Sequence, residues 1–154
     1  MIRQNKSALI LIGLITVLTL SSAVQARRRG YTKAEVDRII KNAENRSDDF
    51  VGSFDRSLDN SRLNNTERED QLNRRAKDLE KAFDDLRSRF DRTESYLDTR
   101  DEARKCLNIA TDINVAMRNN RFGPRTENAW NVLRAEMNIL ARVYNLPYVG
   151  SRAY

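Results

Sequence analysis

Cys106 is the only thiol in this sequence, and there is no histidine anywhere to sit beside it. A cysteine nucleophile acts as a thiolate, and a neighbouring base or cation normally makes that thiolate available near neutral pH. Cys106 instead falls among Ala103, Leu107 and Ala110 on the apolar side of a helical pattern, where it reads as a core residue. The missing histidine also removes the commonest general base and the commonest metal ligand. Carboxylates alone are left. Paired-metal sites in helical bundles combine Glu with a Glu-x-x-His motif, which this chain cannot build. Carboxylate-only catalysis needs two acids of separated pKa in a cleft, whereas the Asp and Glu here lie mainly on polar helix faces. The acidic, amide-rich stretch Asp59–Asn65 lacks the central glycine of a calcium loop and puts Leu63 where an oxygen ligand belongs. Glycine-rich phosphate loops are absent. Trp130 and Tyr144 read as core, not as a ligand box. The expectation is a protein that is not an enzyme, with no catalytic residues, no metal ligands and no cofactor.

Two features carry interaction chemistry. Arg27, Arg28 and Arg29 form a short basic arm suited to anionic lipid head groups or other envelope polyanions, with a solvated terminus as the plainer reading. Tyr154 ends the sequence. A free C-terminal aromatic residue can be captured by its carboxylate and ring, with a frayed end as the plainer reading.

The arm follows a segment with the layout of a bacterial secretory signal peptide. Arg3 and Lys6 give a positive start, Ala8 to Leu20 is an apolar run of thirteen residues, and Val24-Gln25-Ala26 offers a cleavage point. An uncleaved membrane anchor is the competing reading, although the run is short for a span of about 20 residues. No cysteine follows the run to take a lipid. Cleavage after Ala26 removes two basic residues and no acids, leaving a charge of 26 − 22 = +4. The expected location is the periplasm or outside the cell. In an oxidising compartment a single cysteine is either buried or available for an intermolecular bridge.

The elements that would position these groups are helices. Of 154 residues 32% are charged, with only 5 Gly and 2 Pro, a composition of long helices and not of a sheet. The spacing predicts a helix over 32–59, opened by the capping box Thr32-Lys33-Ala34-Glu35 and carrying Val36, Ile40, Ala43, Ser47, Phe50 and Phe54 on one face. A second helix over 66–97 opens with Thr66-Glu67-Arg68-Glu69. In coiled-coil heptads it has Leu72, Leu79, Leu86 and Thr93 at a, and Ala76, Phe83, Phe90 and Leu97 at d. Pairs such as Lys33/Asp37, Asp70/Arg74 and Lys81/Asp85 are expected to lace the outer faces. A third helix over 100–120 starts with the box-like Thr99-Arg100-Asp101-Glu102, and a fourth over 124–146 carries two adjacent apolar stripes. The reading is an all-α antiparallel bundle of about four helices over 32–146, preceded by the signal peptide 1–26 and the arm 27–31 and followed by a tail over 147–154. The two shorter helices are expected across one end of the long hairpin, so that an uncovered stretch exposes Phe50, Phe54 or Phe83 as a partner surface.

Tyr31 to Ile40, the turn Ser61 to Asp70, and Trp130 with Leu133 and Leu140 to Tyr144 resemble a family of uncharacterised secreted helical bacterial proteins. The resemblance implies export and helicity. No activity is assigned to that family. The chain also resembles, superficially, the basic coiled periplasmic holdases, but it has no strands for their oligomerisation body. Three functional expectations follow. The first is an exported protein acting by protein–protein contact in the envelope. The second is a holdase-type chaperone for unfolded envelope proteins. The third is binding to anionic lipid or polymer through the basic arm. Expected partners are envelope proteins, a second copy of the chain and, weakly, an anionic membrane surface. Nucleic acid is not expected, because the charged faces mix both signs.

Overall fold

The computed structural model describes residues 30–151. The signal segment, Arg27, Arg28, Arg29 and Tyr154 lie outside the described residues. Four helices form an antiparallel bundle: α1 (Lys33–Asp59), α2 (Glu67–Arg92), α3 (Arg100–Asn119) and α4 (Pro124–Val143), with a 3-10 turn at Tyr96–Thr99 before α3. Among the described residues there is no strand. Each helix packs on its chain neighbour, and α4 returns to pack extensively on α1, closing the ring.

The α1 start is built as the sequence predicts. The Thr32 N–H donates to Glu35 Oε2 at 2.7 Å, and the Glu35 N–H donates to Thr32 Oγ1 at 3.2 Å, a complete capping box. At α2 the box is half formed. The Glu69 N–H donates to Thr66 Oγ1 at 3.3 Å, but the Glu69 carboxylate takes the Asn65 N–H at 2.6 Å. Asn65 has a φ of 62°, a left-handed conformation that asparagine tolerates, and the Thr66 N–H turns back to Leu63 O at 3.0 Å.

The core is one continuous cluster. The buried stripe of α1 runs from Val36 to Leu58, about 33 Å at 1.5 Å per residue. The 20 residues of each of α3 and α4 supply about 30 Å, so the shorter helices match the stripe and do not sit across one end. The expected open hairpin is therefore corrected: Phe50, Phe54 and Phe83 are all buried. Phe50 stacks on Phe54 at 5.0 Å between centroids, Trp130 tilts against Phe50 at 5.1 Å, and Phe122 meets Phe54 edge-on at 4.9 Å. Phe122 lies in the α3–α4 connection and plugs that end.

The second expected helix is also corrected. It stops at Arg92, where Thr93 turns extended and its hydroxyl donates to Phe90 O at 3.2 Å. Ser95 then caps the 3-10 turn, accepting from the Leu97 N–H at 3.3 Å. Such local side-chain bonds compete with helix continuation. The heptad seam holds from Leu72 to Phe90, but Thr93 leaves it and Leu97 is 55% exposed. The helix over 124–146 ends at Val143. Asn145, with a φ of 50°, turns the chain so that the Leu146 N–H donates to Ala141 O at 2.8 Å and the Asn145 N–H to Arg142 O at 3.3 Å, a Schellman ending.

Candidate interaction surfaces

Cys106 is fully buried, and that burial pushes its thiol up to about 12. The thiol is protonated at neutral pH and has no access to a substrate or to a second chain. Tyr144, also buried, is pushed up to about 12 by the same desolvation. Its hydroxyl lies 2.7 Å from Thr99 Oγ1. Thr99 consequently makes no side-chain cap on α3, contrary to the box-like start. Among the described residues, no group of three or more His, Cys, Asp or Glu could hold a metal ion.

Carboxylates do gather along the outer α1–α2 groove. Glu44 and Asp48 on α1 face Glu80 and Asp84 on α2. Partial burial, followed by repulsion from the neighbouring acids, holds Glu44, Asp48 and Glu80 above the usual carboxylate range. Arg87 offsets this for Glu44 and donates to Asp37 Oδ1 at 2.8 Å.

The charges both lace single helices, as in Arg46/Asp49 and Arg75/Asp78, and tie neighbouring helices together. Asp37 reaches Arg87 across α1–α2, and Asp85 takes Lys105 across α2–α3 at 2.9 Å. Arg75 pairs with Asp112 across the same seam. Lys33 bonds Thr93 O and lies over the Phe90 ring at 5.2 Å. The expected pairs Lys33/Asp37, Asp70/Arg74 and Lys81/Asp85 do not form. Arg75 and Arg87 do both, each pairing with an acid one turn away, Asp78 and Asp91, as well as with one on the neighbouring helix. These pairs are largely exposed, where each is worth about 0–1 kcal/mol.

The net charge does not come from the bundle. Six of the 28 basic residues (Arg3, Lys6, Arg27, Arg28, Arg29 and Arg152) lie outside 30–151, and all 22 acids lie inside. The described residues therefore carry 22 − 22 = 0, and the whole +6 excess sits on the flanks.

The expected tail is partly structure. Arg100 fastens its start, with Nε donating to Tyr144 O at 3.0 Å and Nη2 to Asn145 O at 3.3 Å. A side-chain cation satisfies the last carbonyls of a helix in this way. Leu146 and Val149 are buried, and the Val149 N–H donates to Asn138 Oδ1 at 2.8 Å. Gly150 follows with a φ of 85° against Asn114, whose Oδ1 accepts from Trp130 Nε1 at 3.3 Å. The strap over 145–151 thus lies in the α3–α4 seam. The sequence reading missed this because a short run such as Leu146 to Gly150 has no periodicity. The alternation of Leu146 and Val149 around Pro147 was the only signal.

Comparison with protein-family models, with curated proteins and with solved structures finds no match.

Proposed function

We propose that this chain is an exported, non-enzymatic helical protein that works by contact with other components of the cell envelope. The observation that carries the reading is the separation of charge: a closed, neutral bundle with its basic excess placed on the flanking segments. The buried thiol and the absence of histidine support a role without nucleophilic chemistry. Fractionation of producing cells tests the location, with recovery in the periplasm or medium and loss of the N-terminal segment expected. Retention of the intact chain in the cytoplasm overturns the reading.

The same charge separation favours a specific mode of contact, through Arg27, Arg28 and Arg29 to an anionic surface. An attached polybasic segment gains about 1 kcal/mol per Lys or Arg near an anionic leaflet. Sedimentation with phosphatidylglycerol vesicles is expected to be salt-sensitive and to be lost when the three arginines are replaced by serine. Equal binding to neutral vesicles overturns this mode. The holdase reading has less support, since Phe50, Phe54 and Phe83, on which a client groove rested, are inside the core.

A further inference from the structure

A cavity of about 690 Å³ opens at the end of the bundle opposite Tyr144, between the α1–α2 turn over 60–63 and the α3–α4 connection over 119–122. That volume falls within the range of about 300–1,000 Å³ typical of small-ligand sites. Both loops are held by the helix ends they cap. Asn60 Nδ2 donates to Arg56 O at 2.6 Å, Ser61 Oγ to Leu58 O at 2.8 Å and Asn120 Nδ2 to Ala116 O at 2.9 Å. Phe122 packs on Phe54 and Leu63 packs against the core, which gives the cavity an apolar side. Loops fixed on a rigid scaffold are where binding residues collect.

The polar groups left over in this cavity define a ligand. Arg62 and Arg121 line it, are exposed, and make no ion pair or side-chain hydrogen bond among the described residues. The described lining residues include no acid, although acids and bases balance across the bundle as a whole. Nor are the two arginines needed at the helix ends, where Asn60, Ser61 and Asn120 already take the carbonyls of Arg56, Leu58 and Ala116. A free guanidinium fork matches a carboxylate or a phosphate. The amides add a second requirement. Asn60 and Asn120 each keep a free carbonyl oxygen, and Asn119 makes no bond through its amide among the described residues. Such oxygens accept from hydroxyls, and a bare phosphate or carboxylate ion has little to donate. We infer that the cavity binds an acidic sugar, a hydroxylated ring carrying a carboxylate or a phosphate. The acid lies between Arg62 and Arg121, the hydroxyls meet the three asparagines, and the C–H face of the ring rests on Leu63 and Phe122. A uronic acid and a sugar phosphate share this chemistry. The site belongs to the bundle and does not involve the basic arm.

Isothermal titration of the full chain with glucuronate and with glucose 6-phosphate, against glucose and inorganic phosphate, tests the inference. At least one sugar acid is expected to bind about tenfold or more tightly than either glucose or phosphate. Which of the two binds better separates a uronic acid from a sugar phosphate as the source. Arg62→Gln and Arg121→Gln are each expected to lower that affinity about tenfold. Both side chains are exposed, so the helical circular dichroism of these variants should stay unchanged. Serine in place of Arg27, Arg28 and Arg29 is expected to leave the affinity as it is. Equal affinity for the sugar acids and for glucose overturns the inference, because the guanidinium groups then select nothing. Equal affinity for inorganic phosphate overturns it too, because the amides then recognise no hydroxyls. Binding that disappears with Arg27, Arg28 and Arg29 belongs to the arm and overturns it, as does the absence of saturable binding by any of the four probes.

Discussion

The Thr99 and Tyr144 hydroxyls lie 2.7 Å apart inside the core, joining the start of α3 to the end of α4. Thr99 Oγ1 also lies 2.7 Å from Tyr96 O, a carbonyl that can only accept. The Thr99 proton is thereby used, and Tyr144 must be the donor to Thr99. Tyr96 packs edge-on against the Tyr144 ring at 5.9 Å, so one end of the bundle is sealed by these three residues. Tyr144→Phe keeps the ring and removes one bond, and should cost about 1 kcal/mol. Thr99→Val leaves the buried Tyr144 hydroxyl without an acceptor, and should cost about 1–3 kcal/mol. Denaturant unfolding of the two variants checks the order. A Tyr144→Phe variant that loses more than Thr99→Val would refute the donor assignment.

Alkaline pH should weaken the fold through the same region. Burial raises both Cys106 and Tyr144 to about 12, from reference values of 9.0 and 10.0. Both groups hold their protons more tightly folded than unfolded, so the unfolded chain loses them first as pH rises. Their contribution is whole below about pH 9, declines from there, and is gone as pH passes about 12. Unfolding free energy measured between those limits should fall with pH. Cys106→Ala should reduce the slope from about pH 9 upward, and Tyr144→Phe only from about pH 10 upward. An unchanged slope in Cys106→Ala would show that the thiol is not the group responsible.

Helix number, order and most core residues are legible in the sequence because they follow from period and capping. Thr32 and Glu35 form their box, and the positions from Leu72 to Phe90 form the buried seam. Three kinds of feature escape such reading. The end of α2 depends on Thr93 and Ser95 choosing local bonds over another turn. The covering of Phe50 and Phe54 depends on helix lengths matching across the bundle and on Phe122, which lies outside any periodic stretch. The strap depends on Asn145 reversing the chain and Arg100 fastening it, a relation between positions 45 apart in sequence. Of the candidate interaction residues, Arg27, Arg28, Arg29 and Tyr154 all lie outside the described residues. The α3–α4 seam that receives the strap is assembled from two helices together, so neither reveals it alone.

The seam itself gives a direct contrast. Leu79 and Phe83 are buried, whereas Leu97, assigned to the same seam by heptad position, is 55% exposed beyond the helix end. Leu79→Ala and Phe83→Ala should each cost about 2–5 kcal/mol. Leu97→Ala should stay within about 0.5 kcal/mol of the parent. Thermal or denaturant unfolding of the three variants separates a seam ending at Phe90 from one that continues. A large loss in Leu97→Ala would restore the longer helix.

Two glycines should respond in opposite directions to one added methyl group. Gly52 lies inside α1, and a Cβ there meets nothing within 4 Å. Gly52→Ala should therefore stabilise by about 0.5–1 kcal/mol, since alanine holds a helix better and restricts the unfolded chain. Gly150 has a φ of 85°, and a Cβ there would stand 3.1 Å from Asn114 Nδ2. Gly150→Ala meets both a left-handed backbone, costing about 1–2 kcal/mol for an L residue, and a neighbour whose carbonyl oxygen already holds Trp130 Nε1. The strain is relieved most simply by lifting the strap from the α3–α4 seam. Gly150→Ala should lower stability and also alter Trp130 emission, while Gly52→Ala should leave that emission as it is. Destabilisation without a change at Trp130 would mean that the strap yields at Gly150 alone, leaving Asn114 in place.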